Sequence, residues 1–213
     1  MPESEFYNKT GARGRKAALA TFALWLFAVS AGTFWMMQYS NIPGRNESVP
    51  TRWPAKSVIT LSRTNSTLVM FAHPRCPCTE ASLRELERLM ACAQGRITTR
   101  VMFLRPAELP TIWTETSLWR RAAAIPGVTV QQDTDGAEAR RFGSATSGDT
   151  MVYGTDGRLL FHGGITISRG HEGDNPGLSA IIGLSKSLPV ETTQTPVFGC
   201  SLYSTQCPEK GPL

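Results

Sequence analysis

The chain is poor in the motifs that mark many catalytic sites. It has only three histidines in 213 residues, and no Ser-His-Asp arrangement is visible. It has no glycine-rich phosphate loop, no Cys or His pairs with standard zinc spacing, no internal repeat and no low-complexity tract. These absences argue against triad hydrolases, phosphate-loop nucleotidases and zinc enzymes.

The chain also lacks a basic run that alternates with aromatic residues. Its net charge is +5, but Lys9, Arg13, Arg15 and Lys16 all precede one apolar block, and later cations alternate with acids. A nucleic-acid partner is therefore not expected. With 41% hydrophobic and 18% charged residues, the composition is that of a globular protein rather than a disordered one.

The apolar block predicts a membrane anchor. Residues 17–37 contain no charged residue, and about 20 apolar residues are enough for a helix to cross a bilayer. The preceding basic residues predict that residues 1–16 are cytoplasmic and that the C-terminal domain lies outside. We expect a single-pass protein of a bacterial inner membrane with a periplasmic domain. The alternative is a signal peptide cleaved near Val29-Ser30-Ala31, which also exports the domain.

The remainder divides into three parts. Residues 38–56 contain several prolines and a glycine and are predicted to be a tether. Residues 57–190 alternate strand and helix patterns in the order β-α-β-α-β-α-β-β-α, with one helix expected over 113–124. This order predicts an α/β domain with a mixed sheet, helices on both faces and a closing hairpin and helix. Residues 191–213 form a Cys-containing C-terminal tail.

Two of the five cysteines lie between a strand and a helix. Cys76 and Cys78 follow the strand predicted over 67–71 and precede a helix that opens at Thr79. The free N–H groups and dipole of a helix N-terminus favour a thiolate, and Arg75 adds positive charge, so one of the pair should have a lowered pKa. A bridge between them would close a small strained ring and be easily reduced. The alternatives are a structural bridge or two idle thiols.

The other cysteines have simpler or undecided roles. Cys92, near the end of the first domain helix, is interpreted as a buried core thiol. Cys200 and Cys207 either close the tail as a local structural disulfide, or Cys200 returns to Cys76 and Cys78 as a resolving thiol.

These residues carry a family resemblance. Residues 68–71 followed by Cys76-Pro77-Cys78 resemble the first strand and active-site turn of the thioredoxin-like superfamily. Residues 151–160 resemble the hairpin of its membrane-anchored periplasmic branch that serves cytochrome maturation. Residues 73–82 and 163–175 resemble a bacterial group labelled RedB. The resemblance covers about residues 57–190 and implies a thioredoxin-like fold, here preceded by one transmembrane helix, with thiol–disulfide oxidoreductase activity at the cysteines.

The chain departs from the family pattern in two places. The family motif is Cys-x-x-Cys, whereas this chain has Cys-Pro-Cys; aligning Pro77 and Cys78 with the family's Pro-Cys puts Arg75 at the first cysteine position. The family also has a proline before the hairpin, where this chain has residues 147–150 (SGDT). Asp149 is expected to bring a carboxylate near the thiols and raise their pKa.

Two histidines are further candidates. His73 precedes Cys76 by three residues, and it is interpreted either as a turn residue or as the third ligand of a Cu(I) site with Cys76 and Cys78. His171 lies in the loop 168–175 with Glu172. That loop is either a solvated surface or a cover over the thiols that supplies an acid–base group.

Three functions remain open from the sequence. The first is a thiol–disulfide oxidoreductase without a cofactor, acting through Cys76 and Cys78 on exported proteins with labile disulfides, or coupled to a membrane electron donor. The second is a copper-binding chaperone, and the third is a thioredoxin-fold interaction module without catalysis.

Overall fold

The computed structural model of the chain describes residues 3–45 and 47–203. The described residues up to Asn41 form one unit, and those from Ile42 onward form a second.

The first unit is a single helix, α1, Glu3–Ser40. Its stretch Gly14–Ser40, 27 residues, is long and apolar enough to cross a membrane. The hydroxyl of Thr21 donates to the carbonyls of Ala17 and Ala18, which keeps this polar group satisfied within the helix. The helix extends to Ser40, three residues past the predicted span.

The second unit is built on a five-stranded sheet with the order β3-β2-β1-β4-β5. The β1–β2 and β2–β3 pairs are parallel, and the β1–β4 and β4–β5 pairs are antiparallel. The strands are β1 Ser66–Ala72, β2 Ile97–Arg105, β3 Val128–Thr134, β4 Asp149–Tyr153 and β5 Leu159–Gly163. The helices are α2 Cys78–Ala93, α3 Ser117–Ala124, α4 Ala137–Phe142 and α5 Pro176–Ser185. The predicted element order and the mixed sheet are confirmed.

The sheet has a core on each face. Alternate residues of β1 face opposite ways: Leu68 and Met70 pack with α2, α3 and α5, whereas Val69 and Phe71 pack with α4. Helices therefore cover both faces, and β1 is the central strand. Its carboxyl end, where the cysteine turn begins, lies in the middle of the sheet.

The predicted tether is not a free linker. Trp53 packs edge-on against Phe142 and Tyr153, with ring centroids 5.1 Å apart in each case. The Tyr153 hydroxyl donates to the Pro50 carbonyl at 2.9 Å, and Thr51 accepts the Leu159 N–H at 3.0 Å. These contacts make residues 47–56 part of the α4 face. The prolines break regular structure there, as expected, but apolar side chains still hold the segment on the domain.

Two further predictions need correction. The helix expected over 113–124 begins only at Ser117, capped by Thr116, and a separate 3₁₀ turn occupies Thr111–Trp113. Cys92 is exposed, not buried, because α2 turns its apolar face inward through Leu89 and Ala93. One residue is about 100° of helix rotation, which places Cys92 outside that face.

Candidate thiol site

The cysteines lie in a tight turn between β1 and α2. Cys76 N–H donates to the His73 carbonyl at 3.2 Å, and Thr79 N–H donates to the Cys76 carbonyl at 3.1 Å. Pro77 is the residue before the helix, and its fixed φ of −59° suits that entry. The Thr116 hydroxyl donates to the Pro74 carbonyl at 2.9 Å, which ties the turn to the start of α3.

A third cysteine completes the site. Cys200 in the tail shares a hydrogen bond with Cys76, with the two Sγ atoms 2.9 Å apart. Cys76 has no exposed surface, whereas Cys78 and Cys200 are half-buried. The structure thus brings Cys200 to the Cys76–Cys78 turn, one of the two arrangements considered from the sequence. Cys207, its partner in the other arrangement, lies outside the described residues.

Contacts among the three cysteines shift the pKa values of Cys76 and Cys78. The pKa of Cys76 is lowered, chiefly because Cys200 and then Cys78 donate hydrogen bonds to its thiolate, which outweighs the opposing effect of burial. For Cys78, the hydrogen bond with Cys200 lowers the pKa, but the bond to Cys76, burial and the Cys76 charge together raise it. These opposite shifts favour Cys76 over Cys78 as the thiolate.

The cation near the site is not the one expected. The guanidinium of Arg75 stacks over the Trp113 ring, 5.0 Å from its centroid. Arg169 instead lowers the pKa of Cys78 by its charge and donates to the Gly199 carbonyl. The sequence analysis considered the loop 168–175 as a cover over the thiols but did not consider Arg169 within it. The available signal was the positive charge of Arg169 in a loop that could approach the thiols.

The other two predicted groups of that loop point elsewhere. His171 is exposed, and its Nδ1 is 2.8 Å from the Arg169 carbonyl oxygen. Glu172 pairs with Arg84 of α2 at 3.3 Å. Both contacts hold the loop in place, and neither involves a cysteine sulfur. The loop brings its arginine, not an acid–base group, to the cysteines.

Ser147 joins the parts of the site. Its hydroxyl accepts the His73 N–H at 2.8 Å and hydrogen-bonds the Thr79 hydroxyl at 2.8 Å. Its backbone N–H donates to the Cys200 carbonyl at 2.8 Å. In residues 147–150, the sequence analysis considers the missing proline and Asp149 but misses the role of the Ser147 hydroxyl.

Asp149 does not act on the thiols as expected. Its Oδ1 is 3.0 Å from Nε2 of His162 on the neighbouring strand, and both residues are buried. The groups that shift the Cys76 pKa most are Cys200, Cys78 and burial. The expected raising of the thiol pKa by this carboxylate is therefore corrected: Asp149 pairs with His162.

His73 is buried at the end of β1. Its Nδ1 accepts the Arg75 N–H at 3.2 Å, and its ring lies edge-on to Trp113 at 5.8 Å between centroids. Among residues 3–45 and 47–203, no group of three His, Cys, Asp or Glu side chains is placed to hold a metal ion. The Cu(I) site of His73 with Cys76 and Cys78 stays a prediction, as does the alternative role of His73 as a turn residue.

Comparison with known proteins adds structural relatives only. No protein-family model matches the chain, and no curated protein does. A hypothetical protein from Sinorhizobium meliloti has 20% identity and a TM-score of 0.57, covering 76% of this chain and 99% of its own. An uncharacterized conserved protein from Geobacillus kaustophilus has 20% identity and a TM-score of 0.54, covering 80% and 95%.

A looser likeness is to a secreted Mycobacterium tuberculosis disulfide oxidoreductase homologous to E. coli DsbE. It has 17% identity and a TM-score of 0.42, covering 59% of this chain and 83% of the other. The narrower likeness to the RedB-labelled group stays a prediction. The sheet order, the cysteine turn at the end of the central strand and the closing hairpin and helix give the chain a thioredoxin-like fold.

Proposed function

We propose that the chain is a membrane-anchored thiol–disulfide oxidoreductase in which Cys76 is the nucleophile. The observation that carries this proposal is the 2.9 Å contact between the sulfurs of Cys76 and Cys200. A disulfide is about 2.05 Å long, so the pair needs only about 1 Å of further approach to bond. The lowered pKa of Cys76 supplies the thiolate that exchange requires.

The reaction is a two-electron exchange. The Cys76 thiolate attacks one sulfur of a partner disulfide; that S–S bond breaks, a mixed disulfide forms, and the partner's other sulfur leaves as a thiolate that takes a proton. A second thiol, Cys200 or Cys78, loses its proton and attacks the Cys76 sulfur. The partner is released as a dithiol, and the chain is left with an intramolecular disulfide. The reverse sequence oxidises the partner.

The compartment follows from the anchor. With residues 1–16 in the cytoplasm and a single span, the domain lies in the periplasm, where disulfides form and persist. Its partners are exported proteins with labile disulfides, or a membrane protein that supplies electrons. No separate cofactor is needed for this chemistry. The copper and interaction-module alternatives predict different results in the experiment below.

The experiment is a redox titration of the full chain in detergent. The chain is equilibrated with glutathione buffers, its thiols are trapped by alkylation, and the cysteines are located by mass spectrometry. We expect a reversible disulfide between Cys76 and Cys200 or Cys78. The matched control is Cys92→Ser, which removes an exposed thiol on α2 and should leave the titration unchanged.

The outcome separates the three functions. A Cys76→Ser substitution that, in the Cys92→Ser chain, abolishes the disulfide of the turn and its exchange with glutathione supports the proposal. If no cysteine of the turn forms a disulfide or exchanges with glutathione, the proposed oxidoreductase function is wrong. Cu(I) bound tightly by the parent and lost in His73→Ala would then favour the copper chaperone, and neither activity would favour the interaction module.

A further inference from the structure

The tail that carries Cys200 binds beside Cys76 as a short strand. Thr146 and Ser201 form an antiparallel bridge. Ser147 N–H donates to the Cys200 carbonyl at 2.8 Å, and Leu202 N–H donates to the Ala145 carbonyl at 2.9 Å. Both bonds join backbone to backbone, so an extended peptide of another sequence could form them equally well.

This strand also closes the site. Cys76 has no exposed surface, so a partner disulfide cannot reach its sulfur while every neighbour stays in place. One of those neighbours is Cys200, whose Sγ lies 2.9 Å from the Cys76 Sγ. Cys200 belongs to the tail, which is not a strand of the sheet. Movement of the tail strand therefore removes this contact without breaking the backbone pairing of β1 with β2 and β4.

The tail is held on different partners before and after Gly199. Before Gly199, it pairs with β5 and its extension: Thr193 accepts the His162 N–H at 3.0 Å, Thr195 donates to the His162 carbonyl at 3.1 Å, and Pro196 accepts the Gly164 N–H at 3.3 Å. From Gly199 to Tyr203, the backbone is held by the bridge to Thr146 and by the Arg169 side chain, which donates to the Gly199 carbonyl. The second half is the part that another strand can replace.

The residue before the cysteine meets a strict steric limit. A Cβ on Gly199 would lie 1.9 Å from the Ser147 carbonyl oxygen, and real Cβ atoms do not come so close. A strand bound here therefore has glycine directly before its cysteine, or it sits farther from the loop. The same steric limit applies to any peptide that binds in this position.

The residues after the cysteine provide side-chain contacts. Leu202 is buried in the core on the α4 face. The Tyr203 hydroxyl donates to the Ser144 carbonyl at 2.7 Å, and the Arg140 guanidinium lies 4.8 Å from the Tyr203 ring centroid. The position thus selects an apolar residue two places after the cysteine and an aromatic residue three places after it.

We infer that residues 199–203 occupy the docking position of the substrate, and that the substrate is an extended peptide segment of the type Gly-Cys-x-apolar-aromatic whose cysteine takes the place of Cys200 beside Cys76. This inference rests on the proposed function. The peptide displaces the tail, the Cys76 thiolate attacks the peptide's disulfide sulfur, the former partner of that sulfur leaves as a thiolate, and a mixed disulfide remains. Cys78 or the returning Cys200, as thiolate, then attacks the Cys76 sulfur and releases the peptide as a thiol.

The test uses the full chain with Cys200→Ser, which keeps the tail but prevents its disulfide. The probe is the heptapeptide Val-Phe-Gly-Cys-Ser-Leu-Tyr, with its cysteine in a mixed disulfide to thionitrobenzoate, whose release is coloured. The matched probe has alanine for glycine. We expect the glycine probe to react with Cys76 about tenfold faster or more, because the alanine Cβ overpacks against the loop.

Displacement of the tail is tested in the same assay. Leu202→Ala in the Cys200→Ser chain removes the buried anchor and should raise the rate with the glycine probe several-fold, while the matched Leu188→Ala, at a leucine that is 55% exposed and outside the docking segment, should not. A redox-inert peptide with serine for cysteine should slow the glycine probe by competition, which tests the docking position in a chain that carries no anchor substitution.

The outcomes distinguish the two proposals. Equal rates for the glycine and alanine probes, or no competition by the inert peptide, overturn the docking inference if the small disulfide dithiobis(nitrobenzoate) still reacts with Cys76. The proposed function then stands. If Cys76 reacts with neither peptide nor small disulfide, the proposed function fails instead.

Discussion

The backbone N–H of Ser147 donates to the carbonyl of Cys200 at 2.8 Å, while the hydroxyl of Ser147 accepts the buried N–H of His73. Ser147→Ala keeps the first bond and removes the second, together with the bond between the Ser147 and Thr79 hydroxyls. Because a buried N–H then loses its acceptor, we expect the free energy of unfolding to fall by about 1–3 kcal/mol. Urea denaturation measures this. The backbone bond remains, so the Cys76–Cys200 disulfide should still form in glutathione buffers. An unchanged urea midpoint would contradict this role of the hydroxyl.

Cys200 is the largest cause of the lowered Cys76 pKa. Cys200→Ala removes that hydrogen bond and should move the Cys76 pKa upward, which thiolate absorbance against pH would show. The Cys92→Ser chain is the control and should titrate at Cys76 as the parent does. An unchanged Cys76 titration in Cys200→Ala would mean that Cys200 does not stabilise the thiolate.

The same shift makes stability depend on pH. The folded pKa of Cys76 is depressed, so its stabilising effect is fully present above the pKa of an unfolded thiol, about 8.5, and is lost as pH falls towards the folded pKa. The free energy of unfolding of the reduced parent should therefore rise with pH across this window more than that of Cys200→Ala. Urea titrations at several pH values check the sign. A steeper rise in the variant would contradict it.

The buried pair of Asp149 and His162 joins β4 to β5. Asp149→Ala leaves the imidazole buried without its carboxylate, and we expect a loss of about 3 kcal/mol of unfolding free energy. Asp149→Asn keeps a polar side chain of the same size beside the imidazole and should lose less. Urea denaturation distinguishes the two variants. Equal losses would mean that the carboxylate charge, which both variants remove, sets the whole cost.

The fold was more predictable than the site because the fold follows local periodicity. Consecutive residues carry this periodicity. Residues 68–71 alternate between the two faces of the sheet, and helical spacing begins at the cysteine turn. The exposure of Cys92 was predictable too, because the helical period puts Leu89 and Ala93 on one face and Cys92 outside it. Residue type alone favours a buried cysteine, and here the helical period decides the outcome.

The site depends on contacts between distant residues. Cys200 lies 124 residues from Cys76, and whether a tail cysteine pairs locally or returns to the turn depends on how the tail packs. The same applies to Arg169 and to the Asp149–His162 pair, since a hairpin register decides which side chains meet. The sequence could name the cysteine turn and the loop 168–175, but not which of their side chains meet.

Substitution of Trp53 tests whether the segment before β1 packs as part of the domain. Its ring contacts Phe142 and Tyr153 edge-on, and it is half-buried. Trp53→Ala should cost about 2 kcal/mol, less than a fully buried tryptophan, and should speed proteolysis after Arg52. Val58→Ala, at a side chain that is 74% exposed, is the control. A free tether would leave both stability and cleavage unchanged.

The orientation of the anchor is the last prediction. With the N-terminus cytoplasmic, exposed Cys92 should react with a membrane-impermeant maleimide added to spheroplasts and stay protected in inverted inner-membrane vesicles. A chain in which Cys92 is replaced by serine gives the background from the other cysteines. Neutralising Lys9, Arg13, Arg15 and Lys16 with glutamine removes the bias that sets the topology, so some of the chains should then label from the opposite side. Labelling of the parent only in inverted vesicles would place the domain in the cytoplasm, where reduced thiols prevail, and the proposed exchange with exported proteins would be wrong.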